Sequence, residues 1–394
     1  MYKRAEYQVI KDRLKEERRF IQVLTGPRQV GKSTVVKQVL ADLDIPHEFY
    51  SADNIPATNN GWISSCWSAV RSLLAIKGYQ SMLLVIDEIQ KVPNWSEAVK
   101  KEWDDDTFHG RNIKVLLLGS SRVLLERGLS ESLAGRFEEI RMGHWSYPEM
   151  RDCFGFSLDQ YLYYGGYPGA APLIGVEERF QHYIQSSIID ATINKDILID
   201  SPVGKPALLR QTFELSAAYS GQELSLNKML GILNNAGNTS TLAGYLNLLN
   251  DSGLIVGLNK FSIDAARRRA SIPKFQVYNN ALKTVYSPLT LEQAVHNHSE
   301  WGHIFESGIG TYLVNQAFVH RFEVFYWREN SHEVDFVLRR KGSVVAIEVK
   351  SNAQRFSSGL ELFKSKFNPH AAFIVGDNGM SPEEFLGLDI TKLF

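Results

Sequence analysis

The sequence predicts an α/β protein of more than one domain, and three observations carry that prediction. Apolar runs at residues 20–24, 81–88 and 114–121 each lead into a polar loop. The loop after the first run, Gly26-Pro27-Arg28-Gln29-Val30-Gly31-Lys32-Ser33, fits the phosphate-binding pattern G-x-x-x-x-G-K-[ST] at every fixed position, and a helix-like run follows at 34–40. Near the other end, two β-branched-rich runs flank a Lys-Gly centre at 341–342, a hairpin signal. The 394 residues suit two or three domains. With 44% hydrophobic and 22% charged residues the chain reads as globular.

The first loop suits phosphate chemically. Glycines let backbone N–H groups approach the oxygens, and the following helix adds the positive end of its dipole. The cradle is read as Gly26, Pro27, Arg28, Gln29, Val30, Gly31, Lys32, Ser33 and Thr34. Lys32 is expected to reach the β- and γ-phosphates of ATP, and the Ser33 hydroxyl to ligate Mg²⁺. Continuous apolar runs mark parallel strands covered on both faces, and ligands in such sheets sit beyond the strand C-termini. The run 81–88 ends there in two acids. Asp87 is expected to hold the same Mg²⁺, and Glu88 to orient and activate the attacking water. The alternative is a solvated Asp-Glu pair at a strand end. The third run ends in hydroxyls. Ser120 is a candidate contact for the γ-phosphate or the lytic water, and Ser121 can cap a helix that starts at Val123-Leu124-Leu125. Arg136 follows Gly135 and is a candidate arginine finger, in cis or on a neighbouring subunit. Its alternative is a surface pair with Glu138 or Glu139.

Residues 1–150 resemble the AAA-type ATPases. That signature region reads G-P-R-Q-V-G-K-S/T, then an apolar strand ending D-E-I-Q, then G-S-S, then L-A-G-R, and it is matched here at 26–33, 87–90, 119–121 and 133–136. The resemblance implies ATP hydrolysis with Mg²⁺. It favours Arg136 as the finger, which requires a homo-oligomer if it acts in trans.

Net charge is −1, so polyanion binding by bulk charge is excluded and any DNA contact must come from a local patch. Cys66 and Cys153 stand far apart in no metal spacing, which argues against zinc, and His296-Asn297-His298 reads as a polar loop. The charged N-terminus lacks a signal-peptide core, and no apolar run nears the roughly 18 residues that span a bilayer. These features predict a cytoplasmic, reducing setting and no membrane partner.

The middle begins with Tyr161-Leu162-Tyr163-Tyr164-Gly165-Gly166-Tyr167-Pro168, similar to a G-G-Y-P element that follows the ATPase core in the same family and read here as a lid joint. Phe180, Tyr183, Ile184 and Ile188 give 176–199 an amphipathic pattern that suits a helix packed on the ATPase. A boundary is expected at 201–206. Three helices follow, at 208–219, from 224, and at 242–249 behind the cap Asn238, then a strand at 253–258 leading into a wing: a winged-helix pattern. The third helix offers Tyr245 and Asn247 but little base-reading chemistry. The wing carries Lys260, Arg267-Arg268-Arg269 and Lys274, which suit phosphates, or simply form a solvated basic loop beside a packing module.

A turn centred between Lys341 and Gly342 puts Asp335 opposite Glu348 and Glu333 opposite Lys350. Alternation then groups these four on one face and Val334, Phe336, Leu338, Val345, Ile347 and Val349 on the other. Opposed carboxylates about 5 Å apart repel and need a cation. Lys350 supplies one charge, and Mg²⁺ or Mn²⁺ at Asp335 and Glu348 suits the hard oxygen donors; the alternative is a salt-bridged face without metal. The surrounding order αβββαβ resembles the PD-(D/E)XK nuclease superfamily. Glu306, Asp335, Glu348 and Lys350 match its helix glutamate, two acids and lysine, while Val334 replaces the usual proline.

Together the two resemblances resemble a prokaryotic family of AAA-type ATPases with a C-terminal domain of unknown function. The expected organisation is a P-loop AAA-type ATPase domain at 1–150, a helical lid at 151–202, a winged-helix-like domain at 203–272 and a PD-(D/E)XK nuclease-like domain at 273–394. The expected function is ATP hydrolysis coupled to a nucleic-acid-directed, Mg-dependent module. Its rival is an ATP-driven switch that binds DNA or protein and carries a silent nuclease-like domain.

Overall fold

The computed structural model describes residues 2–53, 55, 59, 61–120, 129, 132–198, 201–235, 237–264, 271–351 and 357–394. Ser121, the run Val123-Leu124-Leu125 and the Arg267-Arg268-Arg269 cluster lie outside them. Contacts divide the chain into two compact units, residues 1–142 and 143–394.

The first unit is a three-layer α/β/α arrangement. Its strands are β1 (Ile21–Thr25), β2 (His47–Ser51), β3 (Met82–Asp87), β4 (Ile113–Gly119) and β5 (Phe137–Arg141), and its helices α1 (Ala5–Lys15), α2 (Lys32–Ala41), α3 (Trp62–Lys77) and α4 (Trp95–Phe108). The sheet order is β2-β3-β4-β1-β5, with every pairing parallel. Alternate residues of the central strands feed opposite layers. Val23, Leu84, Ile86 and Leu117 pack with Trp67 of α3 and Trp103 of α4. Leu24, Leu83, Val85 and Leu116 pack with Ile10 of α1 and Val36 of α2. Burial on both sides is why these strands read as unbroken apolar runs. The edge strands β2 and β5 are only half-buried and carry no such run.

The second unit contains α5 (Leu158–Tyr164), α6 (Glu177–Tyr183), α7 (Pro206–Ala218), α8 (Leu226–Ile232) and α9 (Thr239–Asp251). The hairpin strands β6 (Ile255–Leu258) and β7 (Lys274–Val277) pair antiparallel, Leu258 facing Lys274. Asn238 caps α9, accepting the Thr241 N–H at 2.8 Å. The glycine pair after α5 answers close contacts. A Cβ on Gly165, at φ 70°, would fall 1.9 Å from Asn279 Oδ1, and one on Gly166 would fall 2.1 Å from the Trp145 carbonyl oxygen. Beyond α6, π-type turns carry the chain to Ile197. Phe180, Ile184, Ile188 and Ile193 fill this unit's own core, so the amphipathic pattern is explained here without the ATPase surface assumed from sequence. Tyr245 is likewise buried, its hydroxyl accepting the Lys205 N–H at 3.1 Å.

The long helix α10 (His298–His320) precedes β8 (Glu323–Glu329), β9 (His332–Arg340) and β10 (Ser343–Lys350), and α11 (Ser358–Phe367) precedes β11 (Ala371–Gly376). They form a mixed sheet in the order β11-β10-β9-β8, with β10 and β11 parallel and the other pairs antiparallel. Ser343 pairs with Arg340 and Ile347 with Phe336, the register expected from the Lys-Gly turn. Continued one step, that register would oppose Asp335 to Glu348.

The expected division into an acidic face and an apolar face holds for five of the six apolar residues, Val349 included, and breaks at Val334. Phe336, Leu338, Val345 and Ile347 join Ile309 and Leu313 of α10, but Val334 joins Val337, Ala346, Leu360 and Phe363 on the opposite layer. The cause is a bulge. Phe325 pairs with Val337 and Trp327 with Val334, leaving one residue between on β8 and two on β9. Asp335 and Phe336 together oppose Tyr326, one residue more than a regular ladder, and such bulges re-aim side chains. Glu333 is exposed and pairs with Arg328 at 3.2 Å.

Candidate functional site

In the first unit the loop between β1 and α2 is shaped by two glycines. A Cβ on Gly26 would meet the Met142 carbonyl oxygen at 2.2 Å, and Gly31 takes φ 94° with open space around it. Gln29 also lies at positive φ, 62°. Helix α2 starts at Lys32, so Ser33 and the exposed Thr34 stand in its first turn. Lys32 is buried, and its Nζ donates to the carbonyls of Gly26 and Pro27, both at 2.8 Å. Pro27, Arg28 and Val30 complete the loop, Val30 being fully buried beneath it.

Ser33 Oγ donates to Asp87 Oδ2 at 2.7 Å, joining the start of α2 to the end of β3. Burial pushes the Asp87 carboxyl above its usual range, and Glu88 adds to the push while the Ser33 hydrogen bond opposes it. Glu88 sits in the left-handed region at φ 53°, where a non-glycine residue is uncommon. Its N–H donates to Asp87 Oδ1 at 2.9 Å. Glu88 Oε2 accepts Ser120 Oγ at 3.0 Å and Gln90 Nε2 at 2.6 Å. Ser120 therefore touches the candidate base. Gln90 completes the cluster, and only its place in the D-E-I-Q string signalled it. Arg136 makes two bonds to Asp104 on α4, Nε to Oδ1 at 2.8 Å and Nη2 to Oδ2 at 2.9 Å. Neither Glu138 nor Glu139, the partners weighed from sequence, takes that place.

The second unit gathers Glu306 from α10, Asp335 from β9, and Glu348 and Lys350 from β10. It adds a residue that sequence reasoning had placed on an exposed wing: Lys274 of β7, only 6% exposed. Lys274 Nζ lies 2.5 Å from Glu306 Oε1 and 3.7 Å from Asp335 Oδ1. Asp335 Oδ2 accepts the Val349 N–H at 2.8 Å. Lys350 Nζ lies 2.7 Å from Glu348 Oε1, and among the described residues Glu348 Oε2 is buried with no hydrogen-bond partner. Burial raises Glu306 and Glu348 well above the usual carboxylate range, with Asp335 adding repulsion and the lysines opposing. Burial pulls Lys274 down, but Glu306 and Asp335 outweigh it and hold the ammonium above its ordinary value. No signal in the wing sequence could have separated Lys274 from a solvated lysine.

Beside Asp335 opens a cavity of about 310 Å³. Its charged lining is Glu223, Glu306, Glu333 and Asp335 against Lys274 and Arg328. Among the described residues no group of three or more His, Cys, Asp or Glu side chains is arranged around a metal position. A cation there would have two carboxylates to hold it, Asp335 and Glu348 through its orphaned Oε2, with the rest of its shell from water or substrate, as Mg²⁺ commonly prefers.

Comparison with known proteins finds a described family for most of the first unit. Residues 18–151 match the family described as an AAA domain. The parallel sheet and phosphate loop of the first unit fit an AAA-type P-loop fold. Residues 155–293 and 301–387 match two domains of unknown function, DUF8612 and DUF4143. Similar curated proteins are uncharacterized. One from Mycobacterium tuberculosis is 24% identical, covering 83% of this chain and 69% of its own length. Another, from Haemophilus influenzae, is 22% identical over 84% and 82%. Among solved structures the chain is similar to the Aeropyrum pernix ORC1 protein in complex with DNA, at 12% identity, 71% and 91% coverage and a TM-score of 0.32. It is also similar to the Thermotoga maritima RuvB Holliday junction branch migration motor, at 16%, 64% and 85%, and 0.33. No described helix is long and apolar enough to cross a membrane.

Proposed function

We propose that this chain binds and hydrolyses ATP, and that its nucleotide state governs a nucleic-acid-directed, nuclease-like cation site in the second unit. The observation that carries the ATPase reading is the 2.7 Å bond from Ser33 to Asp87, which brings the two expected Mg²⁺ ligands together at the phosphate loop. With ATP in place Lys32 would leave the Gly26 and Pro27 carbonyls for the phosphate oxygens. Glu88, oriented by Ser120 and Gln90, would take the proton of the attacking water. Arg136, freed from Asp104, would serve as the finger, in cis or on a neighbouring subunit. In the second unit Asp335 and Glu348 would hold Mg²⁺ or Mn²⁺, with Lys350 and Glu306 beside them. A divalent ion at either site supplies positive charge against phosphate oxygens and makes bound water more acidic.

The αβββαβ order, the mixed sheet and the bulge at Asp335 support the nuclease-like reading, and the proposal keeps the division at 1–150, 151–202, 203–272 and 273–394. A second reading, a switch with a silent nuclease-like domain, is favoured by the cavity's excess of acids, which repels a phosphate backbone. ATP turnover and plasmid cleavage measured together, with and without Mn²⁺, separate the two. The first reading predicts that Lys32→Ala abolishes turnover and Asp335→Ala abolishes cleavage alone. Absence of any cleavage, with turnover intact, selects the second.

A further inference from the structure

We infer that Lys274 is a built-in cation of the acid site: it occupies the position between Glu306 and Asp335 that a second divalent ion would take, so that the site accepts a single ion, at Asp335 and Glu348. This rests on the two-carboxylate reading above.

The geometry is that of a fixed residue. Lys274 Nζ is shared by Glu306 Oε1 at 2.5 Å, Asp335 Oδ1 at 3.7 Å and the Asp335 carbonyl at 3.3 Å. It also lies 4.9 Å from the centre of the Phe336 ring, within reach of a cation–π attraction. Two residues along, on the same face of β7, Gln276 Nε2 donates to the Ser307 carbonyl at 2.8 Å and to Thr311 Oγ1 at 3.2 Å, both on α10. Gly310 makes that approach possible, since a Cβ there would stand 2.1 Å from Gln276 Oε1. Backbone bonds on the other side tie β7 down again: the Gly221 N–H to the Phe275 carbonyl at 2.8 Å, and the Phe275 N–H to the Gln222 carbonyl at 3.0 Å. The lysine is thus held at its post from both flanks.

The charges point the same way. Three carboxylates, Glu306, Asp335 and Glu348, meet two ammonium groups, Lys274 and Lys350. Lys350 serves Glu348, and Lys274 serves the other two. Remove Lys274 and Glu306 faces Asp335 with no cation between them, an arrangement that hard oxygen donors resolve by taking up a divalent ion. Lys274 is therefore a positioning residue, supplied by the wing hairpin to a site built mainly on α10, β9 and β10.

The test is calorimetric titration of Mn²⁺ into the nucleotide-free full chain, in an Asp87→Asn background that removes the other ion site. The background protein is expected to bind one ion and Lys274→Met two. Lys274→Arg restores the charge and is expected to return the count to one. If Lys274→Met does not fold by circular dichroism, Lys274→Gln, whose amide still donates to Glu306, takes its place with the same expectation of two. A folded neutral variant that binds one ion or none while the background binds one overturns the proposal, as does a background protein that binds two. No binding by either protein instead removes the two-carboxylate reading itself, and the proposal with it.

Discussion

The two sites solve one problem, gathering acids and a lysine, in opposite ways. In the first unit the groups come from a loop, strand ends and the first turn of α2 along one parallel sheet, and the lysine rests on carbonyl oxygens that it can exchange for phosphate. In the second unit four elements converge and both lysines are bound to carboxylates. The first arrangement is poised to receive an anion. The second is already largely neutralised and, on the proposed reading, takes one more cation. The difference teaches that like residue types can build a phosphate cradle or a cation trap, depending on whether the lysine is paired with backbone or with acid.

The sharpest way to break the comparison is Glu88→Gln. Loss of the candidate base should lower ATP turnover about 10²–10⁴-fold, read by phosphate release, while titration with a fluorescent ATP analogue shows binding retained. Loss of binding as well would make Glu88 part of the cradle instead. Next, Mn²⁺ at 100 times its dissociation constant should stabilise the wild type by about 2.7 kcal/mol. In the Asp87→Asn background, thermal unfolding of Asp335→Asn/Glu348→Gln should show no such gain.

Third in size is a pH effect. Burial raises the folded-state carboxyl of Glu348 from the ordinary 4.5 to about 7. The folded state therefore binds that proton more tightly than the unfolded chain, and metal-free stability should fall as pH rises from about 4.5 through 7. A divalent ion displaces the proton, so Mn²⁺ affinity should rise across the same window. Calorimetry at pH 6 and pH 8 checks it, and equal affinities would place the ion elsewhere. Smallest is the Arg136–Asp104 pair, which is part-exposed. Arg136→Ala should change stability by no more than about 1 kcal/mol. If the arginine acts in trans, turnover in the wild type should rise with protein concentration and in Arg136→Ala should not.

Much of the first site was legible because its groups lie in contiguous strings. Gly26 to Ser33, Asp87-Glu88 and Ser120 each end an apolar run that burial on both faces imposes. Gln90 and Asp104 were not, since a side chain that orients another leaves no periodic trace. In the second unit the turn at Lys341-Gly342 gave the register and hence the meeting of Asp335 with Glu348. The bulge was illegible, because inserting one residue costs nothing in pattern when both faces are apolar, as Val334, Phe336 and Val337 show. Lys274 was hidden for a related reason. Its burial is decided by α10 and β9, which begin 24 and 58 residues later, and its own neighbours read as wing.

The most direct measurement is ATP turnover in two single variants under identical Mg²⁺. The account predicts that Lys32→Ala loses turnover and that Asp335→Asn keeps it at the wild-type rate. Turnover that survives in Lys32→Ala would contradict the assignment of hydrolysis to the loop between β1 and α2.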